Sequence, residues 1–186
     1  IEAVHGQGQI LPVSGWRSQD EQQAIWNDTL AKEGEDFTAR YVARPGCSEH
    51  QTGLAVDLAL CADTIDFIRP DFPYDGVCGA FRKVAARYGF IERYTEDKRE
   101  KTGIAAEPWH FRYVGVPHAR IMNDAGICLE EYPTFSARAG VKRPSSGWKT
   151  AAGYRCATCP GTAPRSPAPL PAPAGSCPAP TRAGSS

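Results

Sequence analysis

The sequence predicts a small domain of mixed helices and strands followed by a low-complexity tail. Three observations carry this. Short apolar or alternating runs of strand length recur at residues 10–13, 54–60 and 110–114. Stretches with helix start and stop signals lie among them. After about Tyr132 the composition changes, and 164–180 reads PRSPAPLPAPAGSCPAP, which has too little apolar surface to fold and is expected to be disordered or polyproline-like. The expected division is therefore a folded domain over 1–132 and an atypical Pro/Ala/Gly-rich tail over 133–186.

The elements follow in order. Residues 10–13 form an apolar strand ending in Ser14-Gly15. Ser18 with Glu21 three residues later is a capping box, so a helix starts there; Ala24, Ile25, Trp26 and Leu30 give it an apolar side, and Gly34 ends it. Arg17 falls at the strand-to-helix junction, where it reads either as a solvated charge or as a functional cation. Residues 35–47 read as a loop and 54–60 as a buried strand carrying Asp57. Asp75 opens a second helix with Val77, Phe81, Val84, Ala85 and Tyr88 at helical spacing and Gly89 as its cap. Phe90-Ile91 is a short strand, and the charged residues 92–102 read as a solvated loop or hairpin. From His110 the pattern alternates as a strand, and Pro117 to Gly126 is a last helix. His5 and His118 are expected at the surface.

Composition excludes several classes. The chain has 186 residues with 21 basic and 21 acidic side chains, so nothing points to nucleic acid or an anionic membrane as the main partner. No apolar run reaches membrane-spanning length, and no signal peptide is evident. The chain begins at Ile1, so the natural start is expected upstream. Seven cysteines, an odd number, favour an exported protein weakly and imply at least one thiol that is free or paired between chains. Cys156 and Cys159 form a lone CxxC, weak as a metal or redox motif without a second pair.

The residues that carry chemistry sit in two blocks. Cys47-Ser48-Glu49-His50-Gln51-Thr52-Gly53-Leu54-Ala55-Val56-Asp57 places an imidazole and a carboxylate seven residues apart. One flat strand would put them on opposite faces; a turn near Gly53 would remove the conflict, and a helix would also bring them to one side. Asp57 lies inside an apolar run, where a carboxylate needs a partner: a metal ion or an arginine. The second block, Glu107-Pro108-Trp109-His110, brings another carboxylate and imidazole. His50, Asp57 and His110 could give three N/O ligands to zinc with a fourth position open, and Glu107 could then take a proton from water.

With these residues in place, the chain resembles the metallo D,D-peptidases of the LAS group, and most closely the VanY-type D-alanyl-D-alanine carboxypeptidases, with VanX dipeptidases and hedgehog N-terminal domains as distant relatives. The S-x-H-x(6)-D pattern matches Ser48, His50 and Asp57; E-x-W-H matches Glu107, Trp109 and His110; and S-G-[YW]-R-S matches Ser14 to Ser18, with Gln22 behind it. The resemblance implies an α+β fold with a small central antiparallel sheet and flanking helices. It implies Zn²⁺ on His50, Asp57 and His110, Glu107 as general base and Arg17 as the cation for the oxyanion or substrate carbonyl. Ser48, Gln22, Trp109 and Tyr113 would contact substrate. The implied substrate is a peptidoglycan stem peptide or precursor ending in D-Ala-D-Ala, whose trimming would lower binding of glycopeptide antibiotics. That substrate sets the expected location outside the cytoplasm, at the cell envelope, with the cytoplasm as the alternative. Two other readings compete: a D,D-dipeptidase or other wall peptidase, and an inactive zinc-stabilised binding domain. Keeping Glu107 and Arg17 argues against the latter, since a structural zinc needs neither. The segment ahead of Ser14 is short for the family, and the ending after Pro133 is unlike it.

Overall fold

A computed structural model describes residues 1–138. A four-stranded antiparallel sheet forms its centre: β1 (Ile10–Ser14), β2 (Ala55–Leu60), β3 (Phe90–Tyr94) and β4 (Glu107–Tyr113), in the order β1-β2-β4-β3. Helices flank it: α1 (Gln19–Glu33), α2 (Glu35–Tyr41), α3 (Gly76–Ala85), the single turn α4 (Arg99–Thr102), α5 (Val116–Ala125) and α6 (Tyr132–Arg138). This is the α+β architecture that the resemblance implies. The chain is helical through Arg138; the remainder of the expected tail, with its CxxC, lies outside the described residues. Among the described residues no helix is long and apolar enough to cross a membrane.

The two faces of the sheet have different jobs because side chains alternate along a strand. Leu58 and Phe111 lie in one apolar core with Ile10, Phe72, Cys78 and Trp109, and Val56 packs against it. Phe72, Phe81 and Phe111 meet edge to face with ring centroids 5.1–5.9 Å apart, a favoured aromatic geometry. The intervening residues Asp57 and His110 leave by the other face. Gly89 ends the α3 segment at φ 87°, and an added Cβ there would stand 2.6 Å from the Tyr113 ring, so glycine allows β4 to close against this turn.

Several expectations need correction. The capping box of α1 is present, with Ser18 Oγ accepting from Glu21 N–H and Glu21 accepting from Ser18 N–H. Its buried residues, however, are Gln22 and Thr29, while Ala24 and Leu30 are exposed. The helix borders a cleft rather than the core, so apolar spacing was a poor guide. The expected loop over 35–47 contains α2, whose acidic first turn (Glu35, Asp36) favours a helix start and whose Phe37 and Tyr41, four residues apart, pack ring to ring at 4.8 Å. Residues 92–102 are not a simple solvated loop: β3 runs on to Tyr94, and Arg93 is buried by ion pairs. Tyr88 is exposed because the chain tightens into a 3-10 turn over Ala86–Tyr88, rotating it away from the α3 core side. His118 is half-buried and shares a 2.6 Å hydrogen bond with the Tyr132 hydroxyl. Cys47, Cys78 and Cys128 are free thiols.

Arg82 ties the core face to the loop ahead of α3. Its Nε donates to Glu92 at 2.9 Å, and its terminal nitrogens donate to the carbonyls of Phe72, Pro73 and Pro108. The guanidinium also lies 4.1 Å from the Tyr74 ring centroid. Arg82→Ala leaves Glu92 the Tyr74 hydroxyl at 2.7 Å but removes its charged partner and the donor to three carbonyls, so it should cost about 3–5 kcal/mol in urea unfolding. A loss under about 1 kcal/mol, the value of an exposed pair, would contradict this account.

Candidate active site

The site begins with strand register. Asp57 on β2 stands directly opposite His110 on β4. Both face away from the core, and His110 Nδ1 lies 2.9 Å from Asp57 Oδ1. His50 arrives from a 3-10 turn, Glu49–Thr52, that ends at Gly53 in the left-handed region (φ 69°). The turn near Gly53 thus resolves the odd spacing of His50 and Asp57. His50 Nε2 comes within 3.1 Å of Asp57 Oδ2, and the two imidazoles meet edge to face at 5.0 Å. All three residues are buried, and one ligand atom from each lies within 4.8 Å of the others.

The remaining nitrogen of each imidazole is also engaged. His50 Nδ1 is 2.7 Å from the Gly15 carbonyl, which can only accept, so Nδ1 carries the hydrogen and Nε2 faces Asp57. Gly15 follows an irregular stretch where Pro12 and Ser14 pair with the consecutive residues Leu58 and Asp57. His110 Nε2 is 3.4 Å from Glu49 Oε2. Burial disfavours charge on His110, but its hydrogen bonds to Asp57 and Glu49 prevail and raise its pKa to about 9. Burial likewise disfavours the Asp57 carboxylate, but the two imidazoles outweigh it and bring its pKa to about 2. Without metal, a proton therefore occupies the space between His110 and Asp57.

Glu107 starts β4 and is buried, with Oε2 3.8 Å from His110 Nδ1. Strict alternation would send it to the core side with Trp109 and Phe111. Against β3, however, the stretch from Glu107 to Phe111 pairs with only Tyr94 to Glu92, and this irregularity returns Glu107 to the site. Burial is the main cause that lifts its carboxyl to about 7; His110 opposes the rise, while Asp57 and Glu49 add to it. Arg17 is braced by two 2.7 Å bonds, Nη1 to Gln22 Oε1 and Nη2 to Ser14 Oγ. Burial lowers its pKa, and Asp57, Glu21 and Glu107 act in the opposite direction.

These side chains border one cleft of about 340 Å³, which Ser48, Trp109 and Tyr94 also line. Gln22 is at its wall but fully buried, and its amide is committed within the protein: Oε1 to Arg17 and Nε2 to the Ala43 carbonyl at 2.6 Å. It holds Arg17 and the loop after α2 in place. Tyr113 does not line the cleft; it sits at the far end of β4 with its ring 5.2 Å from that of Phe90. The sequence reading did not single out Glu49 or Arg93. Glu49 serves a histidine 61 residues away, a contact no local pattern carries. Arg93 was hidden in a charged stretch, where a buried arginine looks like its solvated neighbours.

The donor set fits a divalent metal ion. Two imidazole nitrogens and a carboxylate converge, the second nitrogen of each imidazole faces an outer oxygen, and the cluster opens on a cleft.

The chain is similar to known proteins. The sequence profile of the VanY family, described as D-alanyl-D-alanine carboxypeptidase, matches residues 2–116. The bifunctional D-Ala-D-Ala dipeptidase and carboxypeptidase VanXYC of Enterococcus gallinarum is 45% identical over 139 residues, spanning 74% of this chain and 73% of that protein. A D-alanyl-D-alanine carboxypeptidase of Enterococcus faecalis is 37% identical over 150 residues, covering 71% of this chain but only 50% of its own length. Among solved structures, the D,D-dipeptidase VanXYg with a D-Ala-D-Ala phosphinate analog has a TM-score of 0.71 and 59% identity, over 72% of this chain and 53% of that one. A point mutant of the D,D-pentapeptidase VanY from a VanB-type resistance cassette, in complex with Zn(II), has a TM-score of 0.56 and 34% identity, over 71% and 76%. The chain belongs to the VanY family of D-alanyl-D-alanine carboxypeptidases.

Proposed function

We propose that this chain is a zinc peptidase that releases the terminal D-alanine from peptidoglycan stem peptides or precursors ending in D-Ala-D-Ala. The observation that carries the reading is the buried His50–Asp57–His110 cluster at a cleft that also holds Glu107 and Arg17, in a chain of this family. His50 Nε2, Asp57 and His110 Nδ1 would hold the ion. Zinc, when bound, polarises a carbonyl and makes water a nucleophile near neutral pH.

The remaining work belongs to the chain's own side chains. Glu107, with its carboxyl near neutrality, is matched to accept a proton at its carboxylate from the attacking water and to return it to the departing amine. Arg17 keeps a fixed orientation because Gln22 and Ser14 hold both terminal nitrogens. Its other N–H positions can bind the charge that develops on the carbonyl oxygen, with no reorganisation at the moment of reaction. Ser48, buried beside His50, is a candidate contact for the substrate terminus. Free D-Ala-D-Ala is a second substrate to consider, because VanXYC is bifunctional and VanXYg is a dipeptidase. Where the protein acts follows from which substrate it meets: wall peptide outside the membrane, or precursor and dipeptide inside.

Glu107→Gln keeps the shape of the site but removes the base, so kcat for D-alanine release from a pentapeptide should fall about 10²–10⁴-fold with zinc content unchanged. Near-normal turnover by the folded, zinc-loaded variant would overturn Glu107's role. The proton between His110 and Asp57 must leave before Nδ1 can bind metal. Zinc affinity should therefore rise as pH increases toward about 9 and then flatten, with about one proton released per ion near neutral pH. Calorimetry in buffers of different ionisation enthalpy measures this; release of no proton would contradict it.

A further inference from the structure

Glu49 is surrounded by more charge than a surface carboxylate needs. Its side chain is only 14% exposed. Oε2 faces His110 Nε2 at 3.4 Å, while Oε1 accepts from Arg93 Nε at 2.9 Å and lies 3.2 Å from Arg112 Nη1. Arg93 in turn is fixed by a two-pronged pairing with Glu130, at 2.6 and 3.0 Å. The carboxylate thus has one oxygen for the two guanidinium groups and the other for the histidine.

We propose that Glu49 is a positioning residue: it fixes the ring and tautomer of His110 so that Nδ1 is presented to the metal. The inference rests on the zinc reading above and extends it to a residue outside the ligand set. His110 has two nitrogens and only one faces His50 and Asp57. A hydrogen held on Nε2 by Glu49 selects the tautomer whose Nδ1 electron pair can reach the metal. Arg93 and Arg112 hold one oxygen of Glu49 and so aim the other at this nitrogen, where a carboxylate oxygen accepts. Gly15 performs the matching task for His50 through a neutral carbonyl, so the two histidine ligands are oriented by acceptors of different charge.

The test is zinc affinity, by competition with a chromophoric chelator, and the visible spectrum of the cobalt-substituted protein, neither of which needs substrate. Glu49→Gln should weaken zinc binding about 10–100-fold and alter the cobalt spectrum. Glu130→Gln is the control: it breaks the other ion pair of Arg93 without touching His110, so it should reduce stability but leave zinc affinity within about twofold of the parent, below the loss expected when a group that orients a ligand is removed. If Glu49→Gln does not fold, Glu49→Asp decides, since it keeps the charge for the arginines but withdraws the carboxylate from His110. A folded Glu49 variant with unchanged zinc affinity and cobalt spectrum overturns the proposal. So does an equal zinc loss in Glu130→Gln, which would make the effect one of general stability. Failure of the parent protein itself to bind zinc would instead overturn the zinc reading.

Discussion

The pairing of Asp57 with His110 across β2 and β4 is the contact on which the site depends. It places a carboxylate and an imidazole at adjacent positions of a sheet whose other face is an aromatic core. A shift of one residue in this register would exchange Asp57 and His110 for apolar neighbours and expose the core face. Burying Leu58 and Phe111 therefore also orients Asp57 and His110. The apolar effect that holds the sheet together and the geometry that could hold a metal have one cause.

Regular strands would not complete the site. Gly15 and Glu107 both lie beside irregularities in the ladders, where the partner strand advances by a different number of residues. His50 lies on a turn that only a left-handed Gly53 closes easily. The candidate ligands come from the regular centre of the sheet and this turn, while the acceptor for His50 and the acid–base candidate come from its bulges. Bulges commonly re-aim side chains next to active sites.

Much of this was legible in the sequence. The capping box at Ser18, the strand through Asp57 and the strand through His110 all had local signals, and the structure has each of them. The short ordered blocks around His50 and Glu107 carried the family resemblance. What remained hidden was non-local or polar. Helix α2 is only seven residues long, and its apolar face is little more than Phe37 and Tyr41; α1 buries Gln22 and Thr29 where spacing favoured Ala24 and Leu30. Glu49, Arg93 and Glu130 meet only in three dimensions, and single-sequence patterns cannot distinguish a buried arginine from a solvated one. Tyr113, near the motif in sequence, is separated from the cleft because it lies at the end of its strand.

Charge at the site is balanced by direct contacts. Glu49 has two guanidinium partners, Asp57 has two imidazoles, and Glu107, with no partner so close, is the carboxyl raised by burial to about 7. Carboxylates in one cleft thus take different roles according to what surrounds them. The most direct test of the account is D-alanine release from a muramyl pentapeptide ending in D-Ala-D-Ala, with and without a zinc chelator. The account predicts release that the chelator abolishes and added Zn²⁺ restores; no release from folded, zinc-loaded protein would contradict it.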